Sequence, residues 1–80
     1  MSGEALGWAL KQSTGDANVQ HVLLLLALRA DEFGAMTEID ADYLAERACI
    51  KRTTVFRCLK ALRELGLLET ATHYLSLIHI

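Results

Sequence analysis

The sequence predicts a mainly α-helical single domain with a small β-hairpin at its carboxyl end. Apolar residues recur at helical spacing in two neighbouring segments, Tyr43-Leu44-Ala45-Ala48 and Val55-Cys58-Leu59-Leu62-Leu65, and the break between them is too short for anything but a tight turn. A third apolar run, Val19 to Ala30, is centred on VLLLLAL. After Gly66, Leu67-Leu68-Glu69-Thr70 and Tyr74-Leu75-Ser76-Leu77-Ile78 read as two strands with a tight turn near Ala71-Thr72-His73. The expected set is therefore three core helices, a short amino-terminal helix or lead-in, and a hairpin over about 67–80.

Eighty residues allow one domain, 1–80, that buries only about 60% of the surface its unfolded chain exposes. Composition offsets part of that handicap, because 52% of the residues are hydrophobic and no Pro interrupts any element. That fraction is generous for so small a chain. Part of the apolar surface is accordingly expected to serve a self-interface or to belong with further sequence.

Taken in order, Glu4 to Gln12 can form a short amphipathic helix with Leu6, Trp8, Ala9 and Leu10 partly buried, or an ordered lead-in. Trp8 reads as a core anchor, with a dimer contact through Trp8 and Leu10 as the alternative. Ser13-Thr14-Gly15-Asp16 is turn-like, and Asp16 can cap the next helix. Val19 to Ala30 falls short of the roughly 20 apolar residues that span a bilayer, so it is expected to be the central core helix and no membrane association is expected. No signal peptide is expected either, since an acidic and mixed segment precedes Ala9. Asp31-Glu32-Phe33-Gly34 ends the core helix with Gly34 in the C-terminal cap role. Ala35-Met36-Thr37-Glu38 is long enough for a short strand.

Asp40 stands where a helix wants a side-chain oxygen for its free backbone N–H groups, and about two turns of helix should follow. Ala48-Cys49-Ile50-Lys51 forms the break, with Ile50 apolar enough to plug the angle between two helices. The second helix runs from about Arg52 to Leu65 and stops at Gly66, which puts a helix-turn-helix over about 40–65. In the closing strand Leu75 and Leu77 alternate with Ser76, while Ile78 and Ile80 fall outward. That pattern reads as an edge strand available to another chain or to further sequence.

The formal net charge of −2 would argue against a polyanionic partner if it were evenly spread. It is not. Residues 1–46 hold Lys11 and Arg29 against eight acidic residues, whereas 47–63 hold Arg47, Lys51, Arg52, Arg57, Lys60 and Arg63 and no acid. Charged helix faces are common, but segregation by segment favours a cationic binding surface.

No catalytic constellation assembles. Cys49 and Cys58 have neither zinc-site spacing nor a disulfide framework around them, and both read as small buried hydrophobes in a reducing, cytoplasmic setting. His21, His73 and His79 are scattered, the carboxylates read as solvated helix ends and caps, and no phosphate-binding loop or nucleophile motif is present. The expectation is a non-enzyme with no metal and no cofactor.

The stretch LAERACIKRTTVFRCLKALRELGLLE resembles the winged helix-turn-helix domains at the amino ends of phage and plasmid replication initiator proteins and of related bacterial regulators. Upstream, GWALKQSTGDANVQHVLLLLALRADEFG is similar to that family's opening, a Trp-containing lead-in followed by an apolar helix ending in an acidic pair and Gly34. The resemblance covers about Gly7 to Glu69. Three positions depart from the pattern. Cys49 stands where the turn commonly has Gly, which implies backbone strain or a different turn; Lys51 replaces a capping Ser; Phe56 replaces a polar residue on the outward face.

What the resemblance implies is binding of double-stranded DNA, with the second helix in the major groove and the hairpin as the wing. Arg52, Thr53, Phe56, Arg57, Lys60 and Arg63 fall on the face opposite Val55, Cys58, Leu59 and Leu62. Base reading is expected chiefly from Arg52, Thr53, Phe56 and Arg57, with Phe56 against a thymine methyl and Arg57 on a guanine edge or a phosphate. Lys51, Lys60 and Arg63 are expected on phosphates, and Thr54 completes the contact set. The wing has no Lys or Arg and can offer only Thr70, Thr72, His73 and Tyr74. A homodimer through Trp8, Leu10, Ile78 and Ile80 would match palindromic DNA. The biological role is replication initiation or transcriptional regulation, in an excised amino-terminal domain or a stand-alone regulator; the alternative is a protein-interaction module on the same fold.

Overall fold

The computed structural model describes residues 3–31, 34–36, 39–70 and 75–77. Along them run α1 (Gly3–Leu10), α2 (Ala17–Arg29), β1 (Ala35–Met36), α3 (Ala41–Ala48), α4 (Arg52–Glu64), β2 (Leu68–Thr70) and β3 (Leu75–Leu77). This is a mainly α fold with a small antiparallel sheet, as the periodicity predicts, and its helical part is compatible with a hairpin wing at the carboxyl end.

Side-chain caps define the starts of two helices. Asp16 has extended backbone, and its Oδ1 accepts from Asn18 N at 2.8 Å and Val19 N at 3.1 Å, satisfying two of the donors that α2 would otherwise leave open. Asp40 does the same for α3, accepting from Asp42 N at 3.0 Å and Tyr43 N at 3.1 Å. The end of α1 is closed by amides. Gln12 Nε2 donates to Trp8 O at 3.0 Å, and Gln20 Nε2 reaches back from α2 to Ala9 O at 3.1 Å, so the last carbonyls of α1 are tied to the helix it packs on.

The core is built around α2, which packs on α1, α3 and α4. Val19, Val22, Leu23, Leu25, Leu26 and Ala27 are all buried, so α2 is enclosed over most of its circumference, which is why its sequence is nearly continuous in apolar residues. Ala5 and Ala9 of α1, Leu44 and Ala48 of α3, and Val55, Cys58, Leu59 and Leu62 of α4 complete the contact surface. Trp8 is half-buried against this cluster, in keeping with a core anchor. Leu10 is not; it is 62% exposed, because α1 ends there and the chain turns away through Lys11 and Gln12.

Both ends of the two-helix unit close in the same way. At the end of α3, Cys49 N donates to Glu46 O at 3.3 Å and Ile50 N to Ala45 O at 3.0 Å, with Cys49 left-handed at φ 59°, ψ 41°. This is a Schellman closure, and half-buried Ile50 supplies its apolar contact with the core. At the end of α4, Gly66 N donates to Arg63 O and Leu67 N to Leu62 O, both at 3.0 Å, with Gly66 at φ 76°. Leu67 is buried there and directs the chain into β2.

Several expectations are corrected. Gly34 does not cap α2: the helix ends at Arg29 on extended Ala30, and Gly34 (φ 79°) turns the following loop, where its N–H donates to Asp31 O and Asp31 Oδ1 accepts from Ala35 N. The strand at 75–77 is not an edge. Sheet order is β1-β3-β2, with Ala35 opposite Ser76 on one side and Leu68 opposite Leu77 on the other, so β3 has partners along both flanks. Leu77 N also donates to Gly34 O at 2.8 Å. Leu65 is 51% exposed, since it lies past the last buried turn of α4, beside an open hollow also lined by Thr14, Asp16 and Val19. Cys49 is exposed, as its position at the turn dictates, and only Cys58 is a buried thiol. The turn at Ala71-Thr72-His73, Tyr74, and Ile78 and Ile80 lie outside the described residues.

Cys49 is the one non-glycine residue with positive φ among the described residues. A side chain in the left-handed region costs roughly 1–2 kcal/mol, partly offset by its lower entropy when unfolded. Cys49→Gly should therefore raise the melting temperature by a few degrees, and Cys49→Val, which adds a second branch against the carbonyl, should lower it. Paired thermal melts check this; a glycine variant that melts early would refute the strain.

Candidate nucleic-acid interface

Helix α4 divides cleanly by spacing. Val55, Cys58, Leu59 and Leu62 are buried, while Lys51, Arg52, Thr53, Phe56, Arg57, Lys60 and Arg63 are exposed. Thr54 is half-buried on the flank of the helix, away from the centre of the outward stripe. Thr53, Phe56, Arg57 and Lys60 follow at i, i+3, i+4 and i+7, so they form one continuous stripe. Glu64 extends that stripe with a negative charge at its carboxyl end, a feature that reading the cations alone overlooks.

At the amino end, Lys51 occupies the cap position of α4 with extended backbone and makes no side-chain cap bond. Two adjacent cations, Lys51 and Arg52, therefore stand where the helix dipole is positive and disfavours them. Arg52 is partly compensated. Its Nε lies 3.7 Å from Asp42 Oδ1 on α3, and its Cζ lies 5.6 Å from the centroid of the Phe56 ring. Both members of the ion pair are well exposed, so the pair contributes about 0.2–1 kcal/mol and serves more to orient the guanidinium than to stabilise the fold. Phe56 itself is 51% exposed, with Arg52 over its ring.

A second cationic group lies on the other flank of α3, and charge counting along the chain does not reveal it. Tyr43 is half-buried, and two guanidiniums face its ring: Arg29 from the end of α2 at 4.9 Å to the centroid, and Arg47 from the next turn of α3 at 5.8 Å. The spacing of Tyr43 and Arg47 signals half of this contact, since residues four apart on a helix are neighbours. Arg29 comes from packing of α2 on α3. The Tyr43 phenol is lowered from its ordinary value of 10.0, chiefly by Arg47 beside its hydroxyl and further by Arg29, with partial burial opposing them. Burial pushes the Cys58 thiol up, and Asp16 adds in the same direction, so that side chain stays a neutral, packed hydrophobe.

The strands offer less. Glu69 is exposed on β2 and Ser76 half-buried on β3, so the described side chains of the wing contribute an acid and no base. Of the expected wing contacts, Thr70 ends β2, and Thr72, His73 and Tyr74 lie outside the described residues. Among the described residues no group of His, Cys, Asp or Glu is placed to hold a metal ion, and no helix is long and apolar enough to cross a membrane. Comparison with protein-family models, with curated proteins and with solved structures yields no match to this chain.

Because Tyr43 has a lowered pKa in the folded chain, ultraviolet titration should reveal a phenolate forming below 10.0 that is missing in Tyr43→Phe and moves upward in Arg47→Gln. The sign for stability follows. A depressed folded pKa stabilises above the unfolded value, and that gain is lost as pH falls through the folded value, so neutral-pH stability should be untouched. Identical titration of Arg47→Gln and the parent would contradict the assignment.

Proposed function

We propose that this chain is a winged helix-turn-helix domain that binds double-stranded DNA, with α4 in the major groove. The observation that carries the reading is the outward face of α4, where Arg52, Thr53, Phe56, Arg57, Lys60 and Arg63 are all exposed while the opposite face is spent on the core. A stripe of guanidinium and ammonium groups with one apolar ring matches what a major groove presents: acceptors on guanine, methyl groups on thymine and phosphates at the rims. The uncapped amino end with Lys51 supports the same reading, because a helix start that carries cations is compensated by an anion placed there.

Roles divide by reach. Arg57, near the centre of the stripe, reads a base, and Arg52, oriented by Asp42 and Phe56, reads beside it. Lys51, Lys60 and Arg63 neutralise phosphates, with Thr53 and Thr54 as hydroxyl donors. Such a domain acts in replication initiation or transcriptional regulation in the cytoplasm of a bacterium or on behalf of a phage or plasmid. The competing reading, a protein-interaction module, draws on exposed Phe56 and Leu65 and on Glu69 in a wing without described cations.

Binding isotherms on mixed-sequence duplexes at two or more salt concentrations separate the readings. DNA binding should weaken steeply with salt, by a log–log slope of about −0.9 per phosphate neutralised. Absence of binding at low salt would leave the protein-interaction module. Within the DNA reading, Arg57→Ala should cost about 1–3 kcal/mol and relax preference at one base position, whereas Lys60→Ala should weaken all sequences alike and reduce the slope by about one. Arg57 is exposed, so its removal should change folding stability by no more than about 0.5 kcal/mol.

A homodimer completes the proposal, since a two-fold pair suits palindromic sites. Half-buried Trp8 and exposed Leu10 are the described residues of the proposed contact. Sedimentation equilibrium should give twice the chain mass of 8.9 kDa at micromolar concentration, and Leu10→Lys should shift it to monomer. A parent that sediments as 8.9 kDa throughout rules the dimer out.

A further inference from the structure

The Arg29, Tyr43 and Arg47 group is left unexplained by a groove-reading α4. Two guanidiniums from different helices are held within 6 Å of one ring centroid, at 4.9 and 5.8 Å, away from the outward stripe of α4. Yet neither has a carboxylate partner among the described residues, where the ion pair present is Arg52 with Asp42. Like charges brought together without an acid repel, and the ring faces repay only part of that cost. Arg29 and Arg47 are both exposed, and each guanidinium carries five N–H donors. The group that completes such a set is a tetrahedral oxyanion, which two guanidinium forks can hold by parallel N–H···O bonds.

We propose that Arg29, Tyr43 and Arg47 form a phosphate clamp that grips a backbone phosphodiester of the DNA, apart from the phosphates met by α4. This rests on the DNA-binding reading above. The clamp joins the end of α2 to one face of α3, so its contact fixes the body of the domain on the duplex and leaves α4 to select sequence. It reads no base: its donors match phosphate oxygens, and its effect is the same on every sequence.

The test compares salt-dependent duplex binding of the parent, Arg29→Gln/Arg47→Gln, Arg29→Lys/Arg47→Lys and Lys60→Ala, each checked by its melting curve. Loss of both guanidiniums should flatten the log–log salt slope by about 0.9, the value for the one phosphate they hold, and weaken preferred and scrambled duplexes by the same factor. The lysine pair should keep the slope and lose affinity several-fold, because the charge remains and the fork is gone. If Lys60→Ala flattens the slope and the glutamine pair does not, the clamp is wrong and the DNA reading stands. If the parent fails to bind duplex at low salt, both fall. A glutamine pair that loses preference at particular bases would also overturn the clamp, since it would mean that these arginines act on the reading helix.

Discussion

Val22, Leu23, Leu26 and Ala27 of α2 are removed from water by three other helices, and the placement of every other element follows from that enclosure. A buried leucine contributes roughly 1.5–3 kcal/mol relative to an exposed one, so a helix this apolar is stable only when covered on several sides. α1 covers one side through Ala5 and Ala9, whose small side chains let it approach closely. α4 covers another with Val55, Cys58, Leu59 and Leu62, and the requirement to turn that stripe inward is what turns Arg57, Lys60 and Phe56 outward.

The turn between α3 and α4 sets how that outward face is presented. Its closure places Cys49 in a left-handed conformation that a glycine would adopt without strain, while Ile50 packs on the core and holds the angle between the helices. The matching closure at Gly66 sends the chain through buried Leu67 into β2, which begins at buried Leu68. There β3 is held between β1 and β2, so the carboxyl end of the described chain is tied to the loop that follows α2.

Charge is partitioned along the same lines. Asp16 and Asp40 serve as caps at helix starts, where the dipole favours them, and Asp42 engages Arg52. The cations of α4 remain mostly turned to solvent, and Arg29 and Arg47 meet across a tyrosine ring instead of an acid. A chain of net negative charge thus carries two separate positive surfaces, one on each flank of α3.

Features governed by residues a few positions apart were legible in the sequence alone. The Asp16 and Asp40 caps, the buried residues of α4 from Val55 to Leu62, its outward cations and the stop at Gly66 all arise from helical periodicity, hydrogen-bond supply or backbone sterics within one or two turns. Tertiary structure decided the rest. That β3 lies in the middle of a sheet depends on Ala35 meeting Ser76, and that Arg29 joins Tyr43 and Arg47 depends on the packing of α2 against α3. Each is a contact between residues distant in the chain, whose free energy exists only once the helices have taken their places, and no local pattern encodes it.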